Sequence, residues 1–361
     1  MIYVFLGDLF RKEVIGVRKK VIAQCKVFAK NFGHIYYTSY SGQMVYLLSE
    51  GKVLQKEAAV TKQEFYDWVL KWIHQYGIEK AYVRYSLSDK YFIDFLRELQ
   101  KKQVVFVLEF PTIPYDGELS NKRTILEDAY YRKQLSEYVG QCTTYSKMDS
   151  VFGIPCIPLM NGVDIEEQPL KKCRKKDGRI VLLAIAYMAG WHGYERVIEG
   201  MAQYYRMGGE KNILFKLVGT GPEIGKYRKL AEEYGLDQRI EFCGKLEGKE
   251  LDSQYDESDI AVGSLGLYKK GLEQAAPIKL REYCSRGIPF IYGYRDIGFE
   301  GNEEYLLQLP NRNENVSMES VIALYERTAE NKRIISKMRE IAIQNFTWDS
   351  ILKPIISFYN V

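Results

Sequence analysis

Short continuous apolar runs alternate along this chain with stretches whose apolar residues recur every three or four positions. Residues 2–6 are such a run and predict a first strand. Behind it, Val17, Val21, Ile22, Cys25, Phe28 and Ala29 share one face of a helix over 17–30, while Arg18, Lys19, Lys26 and Lys30 turn elsewhere. The same alternation predicts strands at 35–38 and 44–48, a helix at 62–75, a strand at 80–85, a helix at 89–101, a buried strand at 104–110 and a helix at 121–138. A second series opens with a buried strand at 180–186. It continues with helix 194–205, strand 213–218, helix 223–234, strand 240–242 and a short helix at 249–255. Strands at 259–262 and 289–292 then flank a helix at 277–286, and from 316 onward the pattern is mostly helical. Continuous apolar strands between amphipathic helices imply parallel sheets covered on both faces. Two such series imply an α/β protein of two Rossmann-like, doubly wound domains facing a cleft. Their expected bounds are 1–165 and 177–345, with a linker at 166–176.

Composition narrows the class. With 361 residues, 46% of them hydrophobic and 27% charged, the chain can build two cores, which excludes a disordered, collagenous or disulfide-stapled molecule. The longest apolar stretch, 180–191, is too short to span a bilayer. Residues 1–6 carry neither a basic leader nor a cleavage site, so a cytoplasmic protein is expected. The net charge of +4 is local, because Lys171, Lys172, Arg174, Lys175, Lys176 and Arg179 oppose only Asp177 within 169–179. That run is a solvated connector or, as a second reading, a contact for anionic lipid. It is not a nucleic-acid surface, whose cations would spread more widely. The six cysteines are scattered, without a C-x-x-C pair, and His34, His74 and His192 lie far apart. No zinc-ligand spacing and no D-x-D pair for a nucleotide-bound magnesium occurs, so neither a metal nor a bound cofactor is expected.

Ligands of open α/β sheets sit beyond the carboxyl ends of the strands, where helix N-termini offer free N–H groups, so the strand-to-helix turns carry the candidate chemistry. In Val218-Gly-Thr-Gly-Pro-Glu223, Gly219 and Gly221 allow close backbone approach and Pro222 suits a first helical turn. Ile224 stands where a dinucleotide fingerprint needs glycine, and alone this motif is a tight turn. In Ala186-Tyr-Met-Ala-Gly-Trp-His-Gly193, Gly190 and Gly193 bracket Trp191 and His192. The imidazole can hydrogen-bond a phosphate oxygen, offset its charge if protonated, or pack on Trp191. In Ala275-Ala-Pro-Ile-Lys-Leu-Arg-Glu-Tyr283, Pro277 marks a helix start, and Lys279 and Glu282 share a face. Free N–H groups and an ammonium suit a diphosphate, and a carboxylate suits ribose hydroxyls; the plain alternative is an i,i+3 ion pair. Asn161-Gly162 is a turn signal at the end of the first domain. In the segment 109–118, Glu109, Tyr115 and Glu118 offer aromatic and acidic groups to a saccharide, or else form a proline-stiffened surface loop.

Taken in order, these motifs resemble the GT-B retaining glycosyltransferases of family 4, the group 1 glycosyltransferases of bacterial surface polysaccharides. The resemblance is carried by Asn161-Gly-Val-Asp164, Trp191-His-Gly-Tyr-Glu-Arg-Val-Ile-Glu199 and Phe215-Lys-Leu-Val-Gly-Thr-Gly-Pro-Glu223. It continues through Ile240-Glu-Phe-Cys-Gly-Lys-Leu246, Ser258-Asp-Ile260 and Ile278-Lys-Leu-Arg-Glu-Tyr-Cys-Ser-Arg-Gly-Ile-Pro289. It covers the second half densely and the first half by layout and the Gly16 loop.

The resemblance implies a nucleotide-sugar donor on the second domain and a saccharide or lipid-linked saccharide acceptor entering from the first. Glu282 would hold the ribose and Lys279 would face the diphosphate. Gly193, Gly219, Gly221, Pro222 and Leu280 would border the donor, Lys245 would lie beside its base, and Gly16 would approach the phosphates from the opposite domain. A terminal helix within 346–361 would return to the first domain. Where the family often has glutamate, this chain has Gln274 with Glu273 adjacent, and His192 stands where lysine is common, so His192, Lys279, Arg281 and Glu273 are the catalytic candidates. The implied reaction is metal-independent, retaining transfer to a hydroxyl. A lipid-linked acceptor would bring the protein to the anionic inner face of the plasma membrane through Lys19, Lys20, Lys26 and the basic run. Competing readings are a non-catalytic sugar-nucleotide-binding partner and an epimerase or phosphorylase of the same fold. A nicotinamide dehydrogenase is disfavoured by Ile224.

Overall fold

The computed structural model describes residues 1–11, 14–115, 121–174, 177–329, 331 and 333–360. It divides into two compact units, Met1–Met160 with Trp348–Val361, and Asn161–Thr347.

The first unit contains strands β1 (Ile2–Val4), β2 (Tyr36–Ser41), β3 (Met44–Ser49), β4 (Lys52–Ala58), β5 (Lys80–Arg84), β6 (Val105–Phe110), β7 (Cys142–Thr144), β8 (Ser150–Val151) and β9 (Ile154–Pro158). Its helices are α1 (Ile15–Phe32), α2 (Lys62–Gln75), α3 (Lys90–Lys101), α4 (Lys122–Tyr131) and α5 (Leu135–Tyr138). The sheet runs β4-β3-β2-β1-β5-β6-β7-β9-β8. It is parallel through its centre, but β2, β3 and β4 pair antiparallel, as do β8 and β9. The expected all-parallel sheet is therefore corrected to a mixed one, with an antiparallel edge that faces water on one side.

Local signals explain the helices. Thr61 accepts the Glu64 N–H at 3.2 Å while the Glu64 carboxylate takes the Thr61 N–H at 2.9 Å, a capping box that starts α2; Asp89 caps α3 at Phe92 N, 2.8 Å away. The predicted helix 121–138 breaks into α4, a 3-10 turn at Arg132–Gln134, and α5. Gly16, expected in a loop, lies in the first turn of α1, exposed, with open space where a Cβ would stand.

On one face, Phe65, Val69 and Trp72 of α2 and Phe92, Phe95, Leu96 and Leu99 of α3 are buried in a common core with Val83 and Leu108. The other face is covered by α1 and by the last helix, α12 (Trp348–Tyr359). Trp348, Ile351, Leu352, Ile355 and Tyr359 bury against Val21, Phe28 and Tyr82, and Tyr359 Oη donates to the Ala81 carbonyl. At about 1.5–3 kcal/mol for each large apolar side chain removed from water, that stripe makes the helix part of the first unit.

The second unit contains β10 (Arg179–Ile185), α6 (Glu195–Arg206), β11 (Asn212–Val218), α7 (Ile224–Glu233), β12 (Ile240–Gly244), α8 (Gly248–Asp256), β13 (Ile260–Val262), β14 (Gln274–Ala275), α9 (Ile278–Arg286), β15 (Phe290–Tyr292), β16 (Arg295–Asp296), β17 (Leu306–Gln308), α10 (Met318–Ala329) and α11 (Ile334–Asn345). Its main sheet is parallel throughout, in the order β12-β11-β10-β13-β15-β17. The chain order reverses at β10, so the topological switch point opens beside the carboxyl ends of β10 and β13. A separate pair, β14 with β16, stands next to α9.

The basic run is not a solvated connector. The Lys171 N–H donates to the Arg286 carbonyl at 2.9 Å, the Lys172 N–H to Asp256 at 2.8 Å, and Arg174 pairs with Asp259 at 3.0 Å and Asp177 at 2.8 Å. These bonds dock the 166–174 part of the expected linker onto the second unit; Lys175 and Lys176 lie outside the described residues. Among the described residues no helix is long and apolar enough to cross a membrane.

Candidate functional site

The turns after β10, β11 and β12 are laced together by backbone bonds: Ala186 N to Val218 O at 3.0 Å, Met188 N to Thr220 O at 2.6 Å, and Gly219 N to Gly244 O at 2.6 Å. Gly219 and Gly221 sit at φ +129° and +143°, and a Cβ on them would lie 1.9 Å from Ala186 O and 2.4 Å from Met188 O. Loop packed on loop is enough to require glycine at both positions. Gly193, at φ +65°, is pressed in the same way, with Gly266 N only 2.7 Å from where its Cβ would stand.

This packing holds His192 at the end of β10. The His192 Nδ1 accepts the Ala189 N–H at 3.1 Å, and the ring stacks on Tyr194 with centroids 5.5 Å apart. Burial pulls the imidazole down to about 4, and repulsion from the Lys279 ammonium adds to it, against the hydrogen bond at Ala189. The ring is therefore neutral at physiological pH, and its Nδ1 also lies 3.2 Å from the Ala189 carbonyl. The role predicted for it as a charged group offsetting phosphate is corrected, because the imidazole is neutral. The hydroxyl of Tyr194 accepts Lys279 Nζ at 3.2 Å. Burial lowers the Lys279 ammonium to about 8, with Glu282 pulling the other way. A group with that value is charged at neutral pH, yet only weakly compensated by protein.

Lys279 stands in the first turn of α9. That helix begins at Pro277 with no side-chain cap, and the Asn161 amide donates to the Ala276 carbonyl at 3.1 Å and fixes the approach. An uncapped first turn leaves N–H donors and the positive end of the helix dipole available to an anion. The ammonium, the neutral His192 and the partly buried Glu282 thus belong to one neighbourhood, through the Lys279–Tyr194–His192 chain of contacts and the charge coupling of Lys279 with both partners.

Other predicted residues part from this neighbourhood. Arg281 is fully buried and forms two bonds of 2.5 Å with the Asp296 carboxylate, which also accepts the Gly298 N–H at 2.9 Å. Its guanidinium ties α9 to β16 and does not face a ligand, which corrects its catalytic assignment. The Leu280 side chain is in the core, so only its backbone faces the helix start. Glu273 is exposed, and its carbonyl accepts the Arg295 N–H at 3.0 Å. Pro222 is exposed in the turn before α7, and Lys245 is exposed and paired with Glu247 at 2.7 Å.

The acceptor-side candidates are corrected most. Glu109 is fully buried and accepts from Tyr3 at 2.9 Å and Arg84 at 2.8 Å, with Lys20 at 3.4 Å. Burial would raise its pKa, but the Arg84 and Lys20 cations outweigh that and hold it low. Lys20 is thereby turned inward, with Nζ 3.3 Å from the Tyr145 ring centre, and is lost as a lipid contact. Tyr115 is buried and donates to Asp128 at 2.7 Å. Glu118 lies outside the described residues. Sequence reasoning missed Tyr194 and the reach of Asn161 to Ala276; a hydroxyl two residues beyond His192 was the available signal for the first, and nothing local signalled the second.

Against known proteins, residues 166–337 match the family model described as Glycosyl transferases group 1. Residues 166–337 are a group 1 glycosyltransferase domain. The putative colanic acid biosynthesis glycosyltransferase WcaL of Salmonella typhimurium is 21% identical over 202 residues, 54% of this chain and 48% of the relative, so the match spans about half the length of each. A glycosyltransferase from Rickettsia africae aligns over 99% of this chain and 97% of its own, with TM-score 0.67 and 12% identity. Anabaena Alr3699/HepE, solved in complex with UDP and with UDP-glucose, aligns over all of this chain and 100% and 99% of its own, with TM-scores 0.63 and 0.56 and 14% identity. The structural likenesses show that the group 1 glycosyltransferase domain sits within a GT-B fold.

Proposed function

We propose that this protein transfers a sugar from a nucleoside-diphosphate sugar to a hydroxyl of a saccharide acceptor during polysaccharide assembly. The observation that carries this reading is the Lys279 ammonium, held by one neutral hydroxyl at the uncapped start of α9 beside a neutral His192. As the glycosidic bond breaks, negative charge grows on the leaving β-phosphate, and donors already aimed there lower the barrier. In this reading Lys279, the neutral His192 ring and the first N–H groups of α9 face that charge, and Glu282 accepts from the ribose hydroxyls. UDP and UDP-glucose bound to Alr3699/HepE support the donor class, and the WcaL name supports the acceptor class.

Transfer independent of added metal and retention at the anomeric carbon belong to the same proposal, as does docking of a lipid-linked acceptor at an anionic membrane through exposed Lys19 and Lys26. The test is a donor screen by thermal shift with UDP-, GDP-, dTDP- and CMP-sugars, followed by product analysis with saccharide acceptors in the presence of EDTA. A stabilising donor and an acceptor-dependent glycoside with retained configuration are expected. Donor binding without transfer to any acceptor would instead identify a binding partner.

A further inference from the structure

Trp191 departs from the chain's other tryptophans. It is 40% exposed, whereas Trp72 and Trp348 are buried and Trp68 is partly covered. Its exposure is not that of a loose loop. The His192 N–H donates to Ala189 O at 2.9 Å, the Gly266 N–H to Trp191 O at 3.2 Å and the Leu265 N–H to His192 O at 2.8 Å, so the backbone on both sides of the indole is pinned. Backbone packs on backbone here: a Cβ on Gly266 would stand 3.1 Å from Gly190 O. One face of the indole lies under the Lys270 ammonium, 4.7 Å from the ring centre, and its neighbour at 5.9 Å is His192. Tyr187, 69% exposed, precedes it on the same turn. A large apolar ring is thus fixed in place, left facing solvent, and set next to the residue that the donor reading uses.

We propose that Trp191 is a pyranose platform. Its exposed surface receives the apolar C–H face of a hexose ring, and the Lys270 ammonium above the indole takes hydroxyl oxygens of that ring. An aromatic face suits this ligand because it supplies contact area without demanding a hydrogen-bond pattern, while the polar groups beside it set orientation. The ring is either the donor's transferred sugar or a residue of the acceptor saccharide. The inference rests on the nucleotide-sugar reading for its location, and the experiment separates the two.

Affinities of matched pairs, UDP against UDP-glucose and GDP against GDP-mannose, are measured for wild type, Trp191→Phe and Trp191→Ala, together with KM for cello- and malto-oligosaccharides. Tryptophan emission on titration with the same oligosaccharides alone is recorded for wild type and Trp191→Phe. If the platform holds the donor's sugar, Trp191→Ala weakens the nucleotide-sugar about three- to tenfold and leaves the free nucleotide unchanged, and Trp191→Phe retains most of the affinity. If it holds the acceptor, saccharide KM rises by a similar factor in Trp191→Ala, and saccharide alone quenches an emission that Trp191→Phe lacks. Loss of nucleotide and nucleotide-sugar binding in equal measure would mean a structural role and overturn the proposal, as would unchanged constants together with no quenching. Failure of wild type to bind any nucleotide would overturn the donor reading instead, and saccharide quenching would still decide the platform.

Discussion

Each unit gathers charge near the carboxyl ends of its parallel strands, and the two clusters differ in how that charge is satisfied. In the first unit, Glu109 near the end of β6 is enclosed by Arg84, Lys20 and Tyr3, these three within 3.4 Å. In the second, Lys279 rests on the neutral Tyr194 hydroxyl and feels Glu282 only through space. Position on an open sheet is therefore a poor guide to function by itself. The first cluster is closed on itself and holds the sheet to α1. The second carries a buried ammonium held by one neutral hydroxyl, and it is this group that the proposed donor site uses.

The comparison can be broken most severely at Glu109. Glu109→Leu leaves Lys20 and Arg84 buried without a counter-charge, and unfolding by urea should show a loss of about 3–5 kcal/mol, with donor affinity of the folded fraction unchanged. A stable Glu109→Leu protein that loses saccharide transfer would return this residue to the acceptor site.

Next in size is Lys279→Ala, which should cut turnover by about 10²–10³-fold, roughly 3–4 kcal/mol of activation free energy, while the melting temperature stays level or rises because a poorly compensated ammonium has gone. Wild-type transfer rates in this variant would remove the site assignment.

Tyr194→Phe is the finest probe. Losing the hydroxyl that accepts from the Lys279 ammonium, a charge-assisted bond of about 1.5–3 kcal/mol, should weaken donor binding by less than tenfold and shift the alkaline limb of the pH–rate profile to lower pH, because the charged form loses its anchor. An unshifted limb would mean that Tyr194 does no more than fill the core.

Much of this architecture was legible along the chain, for physical reasons that can be named. The start of α2 follows from Thr61 and Glu64, which cap it using neighbours in sequence, and the start of α3 follows from Asp89. The parallel strands of the second unit are continuous apolar runs because both faces are covered. By contrast β4 has exposed residues along most of its length and becomes a strand only through pairing with β3. The pairs β14–β16 and Arg281–Asp296 exist only once the chain has folded back, which no local pattern encodes. The same holds for the site. Lys279 and Glu282 were legible from helical spacing and the helix start, whereas the burial of Glu109, Tyr115 and Arg281 depends on partners far away in sequence.

The central claim is that Lys279 awaits the diphosphate of a nucleotide-sugar, and proton uptake on binding tests it. A nucleotide-sugar diphosphate does not itself titrate near pH 8, whereas the Lys279 ammonium, lowered to about 8 by burial, does. Its charged form is the one the anion favours, so binding must raise its pKa. Calorimetry at pH 8.5 in buffers of different ionisation enthalpy should show uptake of a substantial fraction of one proton on binding, none at pH 6.5, and none at either pH in Lys279→Ala. Binding with no uptake at pH 8.5, or with the same uptake in Lys279→Ala, would contradict the account.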